Sequence, residues 1–288
     1  MTAGALIFRK CVVKKTSFCF SHNKAKLHIQ KEVVNTSPSY EKLRDSVLSD
    51  LKDLMDALQS ESGGNGRGQK LAYWLKDYAR FLRSERSFNP TKLIRYKRGS
   101  IVKVHLGYNV GCEEGGLHYA IVLDNAPPLS AQVLTVVPLT SIKPGVDITR
   151  LPRNRISLGD EVYQSLKTNF DEELASAKAR LSELHKRIDE IKAAGEPSSE
   201  ENAAMCKESK SLWKTVQYCQ KMNAEVDRMK TGSIALVGQI TTISKIRIYD
   251  PCYFGDALAK VRVSDATLDL IDQRIAELYM RKHKKRYV

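Results

Sequence analysis

The 288-residue sequence has no run of 18 apolar residues, so no membrane-spanning helix is expected. Its six cysteines (Cys11, Cys19, Cys112, Cys206, Cys219 and Cys252) form no C-x-x-C pair, and no Cys/His cluster has zinc-finger spacing. A reduced, cytoplasmic protein without a structural metal is the expectation. There is no G-x-x-x-x-G-K-[ST] loop, no G-x-S-x-G elbow and no H-E-x-x-H pair. Those absences set aside phosphate-loop, serine-hydrolase and zincin chemistry, and no cofactor is expected.

Acid is missing at both ends. Residues 1–31 carry seven Lys/Arg and residues 281–288 carry five, with no Asp or Glu in either stretch. The formal charge of +14 is therefore mainly a property of the tails, and residues 32–280 are close to neutral. Such like-charged blocks stay solvated, so the charge by itself argues only weakly for nucleic acid. The apolar stretch from Ala3 to Phe8 is too short, and lies on the wrong side of the basic residues, for a secretory signal. A transit peptide, a mobile tail and an over-extended start remain open for this end.

What is present suits a packed protein: 42% hydrophobic and 28% charged residues over a length of one large or two ordinary domains. Leu43, Val47, Leu51, Leu54 and Leu58 recur at helical spacing over residues 39–60. A glycine-rich linker follows at 61–68. A second helix then carries Leu71, Trp74, Tyr78, Phe81 and Leu82 on one side, and Asn89-Pro90 stops it. From Arg98 the pattern turns to short β runs: Ile101–Leu106, Leu117–Leu123, Val133–Leu139 and Val146–Leu151. It resumes at Ser233–Ile240 and Ser244–Ile248.

Between the β blocks, Phe170, Leu174, Ala177, Leu181, Leu184, Ile188 and Ile191 form a heptad seam. A reversal at 193–199 leads into a return arm with Leu212, Val216, Cys219, Met222, Val226 and Met229. An antiparallel helical hairpin of about 45 Å per arm is expected. A last helix, capped by Ser264, turns Leu268, Ile271, Ile275 and Leu278 inward.

Four segments, in order, carry a resemblance. Arg98-Gly-Ser-Ile-Val-Lys-Val resembles the opening R-G-[DE]-I-V-x-V strand of the MazF/PemK family of toxin ribonucleases. Residues 111–123, GCEEGGLHYAIVL, resemble its G-S-E-Q-x-G-x-R-P-A-V-V-L segment. Val136-Val-Pro-Leu-Thr-Ser141 is similar to its V-x-P-[CVL]-T-[ST] strand end, and residues 232–244 to its G-x-A-L-x-D-Q-x-x-x-I segment. The wording around Gly116–Leu123, with a Trp74-Leu-Lys-Asp-Tyr78 helix upstream, is similar to a branch carrying a helical insertion. The resemblance covers roughly residues 70–280.

It implies an α+β fold: an SH3-like small β-barrel with an inserted antiparallel helical hairpin, N-terminal helices and a C-terminal helix. Together with the charge and spacing patterns, it makes the expected division a basic, disordered tail at 1–38, N-terminal helices with a glycine-rich linker at 39–90, barrel parts at 91–160 and 231–280 (the latter with the C-terminal helix), the hairpin at 161–230 and a basic tail at 281–288. The resemblance implies a homodimer that cleaves single-stranded RNA without metal, blocked by an antitoxin protein. Two positions depart from the pattern. The family's catalytic arginine falls on His118 and its strand-end proline on Tyr119, while the acid of its D-Q pair falls on Gly238, with Gln239 kept.

Cleavage by 2′-hydroxyl attack needs a base, an acid for the departing 5′-oxygen and donors for the phosphate oxygens. His118, with an unperturbed pKa of about 6.5, suits either proton-transfer role; a strand histidine satisfied by packing is the alternative. Glu113 matches the family's loop glutamate and would hold His118 charged or act as base; a solvated pair with Glu114 in a turn is the alternative. Thr140 completes the expected catalytic set, and Ser141 beside it is an expected phosphate donor, against a reading of both as turn caps. Lys97, Arg98, Tyr119 and Gln239 complete the expected RNA contacts. Surface solubility for the bases and burial for the tyrosine are the alternatives. The rival functions are an inactive RNA- or protein-binding module of the same fold, and a structural protein working through its hairpin.

Overall fold

The computed structural model describes residues 39–61, 66–195 and 197–281. The expected tails at 1–38 and 282–288, and linker residues 62–65, lie outside the described residues. The chain divides into two compact units, residues 1–53 and 54–288. The described part of the first is the leading part of helix α1 (Tyr40–Glu61), where Leu43, Val47 and Leu48 are exposed.

In the second unit, α2 (Arg67–Glu85) starts inside the stretch expected to be linker. Gly68 is the reason. A Cβ there would lie 2.2 Å from the Met55 carbonyl oxygen, so only glycine lets α2 begin against the end of α1. The helix buries Leu71 and Phe81 and leaves Tyr78 and Leu82 exposed. After it, Asn89 caps a turn of 3-10 helix at Pro90–Lys92 by accepting the Thr91 N–H at 3.0 Å.

Seven strands follow: β1 (Ile101–His105), β2 (Leu117–Val122), β3 (Val133–Ser141), β4 (Ile156–Gly159), β5 (Ser233–Ala235), β6 (Thr241–Ser244) and β7 (Ile248–Asp250). They form one antiparallel sheet in the order β4-β5-β3-β2-β1-β7, with β6 also on β3. β3 pairs with β6 over Val133–Val136 and with β5 over Leu139–Ser141. The fold is thus α+β, with an open sheet where a closed barrel was expected. Its edge strands β4 and β7 have four and three residues, and each joins its neighbour through a register shift.

The expected strand at Val146–Leu151 is absent. Asp147 accepts the Thr149 N–H at 2.9 Å and caps a 3-10 turn instead, leaving Val146 and Ile148 exposed. The strand lies later, at β4, where Ile156 and Leu158 are buried. The expected continuous strand from Ser233 to Ile240 is broken by a 3-10 turn at Val237–Gln239, and a second turn at Lys245–Arg247 separates β6 from β7.

Helices α3 (Glu161–Ala194) and α4 (Ser199–Arg228) connect β4 to β5, which are neighbours in the sheet. Gly195 ends α3, and Ser198 with Glu201 forms a capping box that starts α4. The pair is antiparallel, as Arg180 donating to Thr215 and Ser211 shows, together with Arg187 on Glu208. The expected insertion at 161–230 is not separate from the core. Val162 and Leu166 of α3, with Met222 and Val226 of α4, are buried in the main cluster beneath the sheet with Ile101, Ile121 and Val137. Each such side chain is worth about 1.5–3 kcal/mol as an upper value. The outer part of the pair has only a small cluster of its own, Ala177, Leu184 and Leu212, and Leu181 of the expected seam is 42% exposed.

Strand alternation divides the sheet into two faces. Ile101, Ile121, Val137 and Leu139 face α3, α4 and α5 (Asp265–Tyr279), whose Leu268 and Ile271 close that core. Val102, Val104, Ala120, Val122, Leu134 and Val136 face a second cluster with Ile94, Tyr96, Ile243 and Ile248. Ser264 caps α5, accepting the Thr267 N–H at 3.3 Å.

Candidate functional site

The loop Gly111–Gly116 joins the turn after β1 to β2 and is held at its base by paired backbone bonds. Leu106 N–H donates to Gly116 O at 2.7 Å, and Gly116 N–H to Gly107 O at 2.6 Å. Its middle is held by Gln239, from the 3-10 turn between β5 and β6. The Gln239 amide accepts the Glu114 N–H at 2.5 Å and donates to Cys112 O at 3.1 Å. Gln239 thus clasps the loop, a job that its sequence position did not reveal.

A cleft of about 720 Å³ opens between this loop and the β5–β6 connection. Glu113, Glu114, Asn154, Gln239, Thr241 and Arg247 are among the polar residues that line it. His118, at the start of β2, stands behind Glu114. Its Nδ1 lies 3.0 Å from Leu139 O and its Nε2 lies 3.1 Å from Glu114 Oε1. Both ring nitrogens therefore face acceptors, and only the doubly protonated ring donates to both. The carboxylate on His118 is thus Glu114, where Glu113 was expected. Glu113 instead accepts the Val110 N–H at 3.4 Å and faces the cleft. Alternation in the loop explains the exchange: the two carboxylates diverge, and Glu114 is the one whose main chain Gln239 fixes.

Strand alternation also separates residues expected to act together. His118 and Thr140 lie on the face of Ala120 and Val136. Tyr119 and Ser141 lie on the opposite face. Tyr119 donates to Glu225 Oε1 at 2.6 Å, and Lys103 Nζ reaches the same oxygen at 2.6 Å. Burial first, then Glu225, pushes the Tyr119 phenol above its ordinary range. Tyr119 is a partly buried tyrosine packed on the α-helical side and does not line the cleft. Arg98 bonds to Leu123 O and to Asp272 of α5, at the far end of the β1–β2 pair from His118. Lys97 is exposed next to it, with its N–H on Ser100 Oγ at 3.1 Å. Of the expected set, Glu113 and Gln239 line the cleft, His118 reaches it through Glu114, and Thr140 shares only the sheet face of His118. The structure holds Arg98, Lys97, Tyr119 and Ser141 elsewhere.

Gly238 has its own reason. Its N–H donates to Asn154 O at 3.0 Å, and a Cβ there would meet the Asn154 Cβ at 2.7 Å. An acid at this position does not fit beside Asn154. The cation of the cleft is Arg247, in a 3-10 turn where residues 244–248 were expected to be strand. Arg247 Nε donates to His105 O at 2.8 Å, and the guanidinium lies 5.4 Å from the Trp74 ring centre. Burial pulls the Arg247 guanidinium below its ordinary value and likewise lowers His105. A lone Lys-Ile-Arg after a strand was its only signal. Among the described residues, no His, Cys, Asp and Glu cluster is arranged to hold a metal ion. Comparison of the chain with known protein families and with characterised proteins gives no match.

Proposed function

We propose that the cleft binds single-stranded RNA and cleaves it through attack of a 2′-hydroxyl on the neighbouring phosphate. The observation that carries this reading is the His118 ring held between Leu139 O and the Glu114 carboxylate at the edge of a cleft containing Arg247. Glu113 takes the 2′-hydroxyl proton as the new P–O bond forms. His118 gives a proton to the departing 5′-oxygen, turning from Glu114 to do so. Arg247 and Thr140 face the phosphate oxygens, where charge accumulates. The products are a 2′,3′-cyclic phosphate and a 5′-hydroxyl.

In this reading the open sheet is a splayed relative of the SH3-like barrel of MazF/PemK toxins. The chain then acts as the toxin of a toxin–antitoxin pair, as a homodimer in the cytoplasm, with an antitoxin protein covering the cleft. Free cysteines at Cys112, Cys206, Cys219 and Cys252 suit a reducing compartment. No helix among the described residues is long and apolar enough to cross a membrane.

A specific observation favours a second reading, an RNA- or protein-binding module without catalysis. His118 does not line the cleft, and both its nitrogens are already engaged. Metal-free incubation of a mixed RNA pool, with EDTA present and the 3′ ends analysed, decides between them. Cyclic phosphate ends made by the wild type and lost in His118→Ala support the ribonuclease. No cleavage at any pH from about 5 to 9, the span of histidine titration, leaves the binding module.

A further inference from the structure

On the other side of the Gly111–Gly116 loop from the cleft lies a second cavity, of about 410 Å³, between that loop and the start of α2. This is within the range of small-ligand sites, roughly 300–1,000 Å³. One wall is aromatic. The Trp74 and His105 rings stack with centres 4.6 Å apart and an interplanar angle of 28°, and Arg247 rests on the Trp74 ring. His105 is fixed in turn by accepting the Gly107 N–H on Nδ1 at 3.1 Å.

Two further aromatic rings line this cavity, Tyr73 and Tyr108. Tyr73 is 60% exposed. Among the described residues neither ring has an aromatic neighbour, and neither hydroxyl a hydrogen-bond partner. A tyrosine with its face open to solvent, beside an aromatic wall, offers stacking surface to a planar ligand. Lys70 stands at the mouth, one turn before Trp74, and has no ion-pair partner among the described residues. Glycines 107, 115 and 116 keep the floor free of side chains. Glu113 and Asn109 line both this cavity and the cleft, so the two spaces meet at those residues.

Stacking rings joined to a cation along one track are the chemistry of single-strand binding. We propose that this cavity is a nucleobase subsite: it takes one unpaired base of the strand that occupies the cleft, stacked on Tyr73 and Tyr108, with Lys70 on the adjoining phosphate. Glu113, at the shared wall, accepts a hydrogen bond from the base's amino group or from the ribose. The proposal rests on the reading of the cleft as an RNA site. Inside a duplex both faces of a base are covered by its stacked neighbours, so duplex RNA is excluded.

The chain has two tryptophans, Trp74 and Trp213, and Trp213 lies 61% exposed on α4. In the full chain carrying Trp213→Phe, emission therefore reports on Trp74. The probe is a mixed-sequence hexanucleotide with 2′-O-methyl riboses, which binds but cannot be cleaved, and the same strand in a duplex. The single strand is expected to change Trp74 emission saturably, and the duplex is not. Tyr73→Ala and Tyr108→Ala are each expected to weaken binding about 5- to 100-fold, while Tyr73→Phe retains it. Wild-type affinity in both alanine variants, or equal binding of the duplex, overturns the subsite. Tyrosine-dependent binding in a protein that never cleaves RNA keeps the subsite and overturns the ribonuclease. Cleavage with tyrosine-independent binding does the reverse, and no binding at all overturns both.

Discussion

His118 and Tyr119 are neighbours in the chain and serve opposite faces of one sheet. Under α4, the Tyr119 hydroxyl and the Lys103 ammonium converge on Glu225 Oε1, with Arg228 3.6 Å from its other oxygen; Glu225 itself is buried, Tyr119 and Lys103 are partly buried, and Arg228 is exposed. On the cleft side, His118 and Glu114 form a single contact at 3.1 Å and stay about a quarter exposed. Both are carboxylate-centred arrangements, yet water decides what each can do. The Glu225 group is held more tightly, because breaking it leaves a buried carboxylate without its donors. The His118 pair can open to a ligand at little cost, since solvent replaces either partner. A sheet covered on one face and notched on the other lets one strand carry both arrangements.

The largest effect that would break this contrast is on the covered face. Glu225→Ala leaves a partly buried ammonium and phenol without their acceptor, and is expected to cost about 1–3 kcal/mol. Urea unfolding measures it, and a loss below about 1 kcal/mol would show that the network is effectively solvated. On the cleft face the expectation inverts. His118→Ala should reduce cleavage about 100-fold or more, with RNA affinity kept within a few-fold and stability within about 1 kcal/mol. A variant that unfolds more readily than Glu225→Ala would place His118 among the structural residues.

A third prediction uses Asp250, which burial, ahead of its acidic neighbours, raises to about 6, while Leu258 N–H donates to it at 2.9 Å. Its unfolded value is about 3.9. A raised folded pKa means that its contribution is fully present below pH ~4 and is lost as pH rises through ~6. Asp250→Asn, which mimics the protonated form, should remove that loss. Thermal unfolding should find the variant level with wild type or below it near pH 4, and more stable by up to roughly 2 kcal/mol at pH 7.5, allowing for solvent screening. Parallel curves for the two proteins would show that Asp250 is ionised without penalty.

The smallest effect sharpens the picture of the loop. Gln239→Ala removes the two bonds that hold residues 112 and 114, about 1 kcal/mol of stability in all. Amide exchange of the Gly111–Gly116 segment should quicken while the β2–β3 amides keep their protection. Unchanged exchange in the loop would mean that the clasp is redundant.

Much of this was legible in the sequence because it depends on local chemistry. Ile101, Val102 and Val104 announce β1, and Ser264 with Leu268 and Ile271 announces α5. The Gly195 and Ser198 reversal follows directly from capping. What stayed hidden depends on neighbours distant in sequence. Val146 and Ile148 look like strand residues, but Asp147 found a nearer partner in Thr149. The base of the helical pair looks like an insertion, yet Met222 and Val226 belong to the central core, and only the packing of α4 on the sheet reveals it. At the site, His118 and Glu113 were singled out by type and position, whereas strand parity alone shows that Tyr119 and Ser141 face away. Arg247 and the Trp74–His105 wall needed the docking of α2, which no spacing rule supplies.

The arrangement of β3 between partners of very different sequence distance has a consequence during synthesis. One edge of β3 is covered at once by β2. The other waits for β5 and β6, which are made only after both long helices. At ~5–20 residues per second, that edge of a buried, apolar strand is without its partners for roughly 5–20 s on the ribosome. Exposed β edges of this kind recruit other chains. The nascent chain is therefore most prone to aggregate, and most dependent on chaperones, while α3 and α4 emerge. Rapid pairing of those two helices, a local event, shortens the search that brings β5 back to its place.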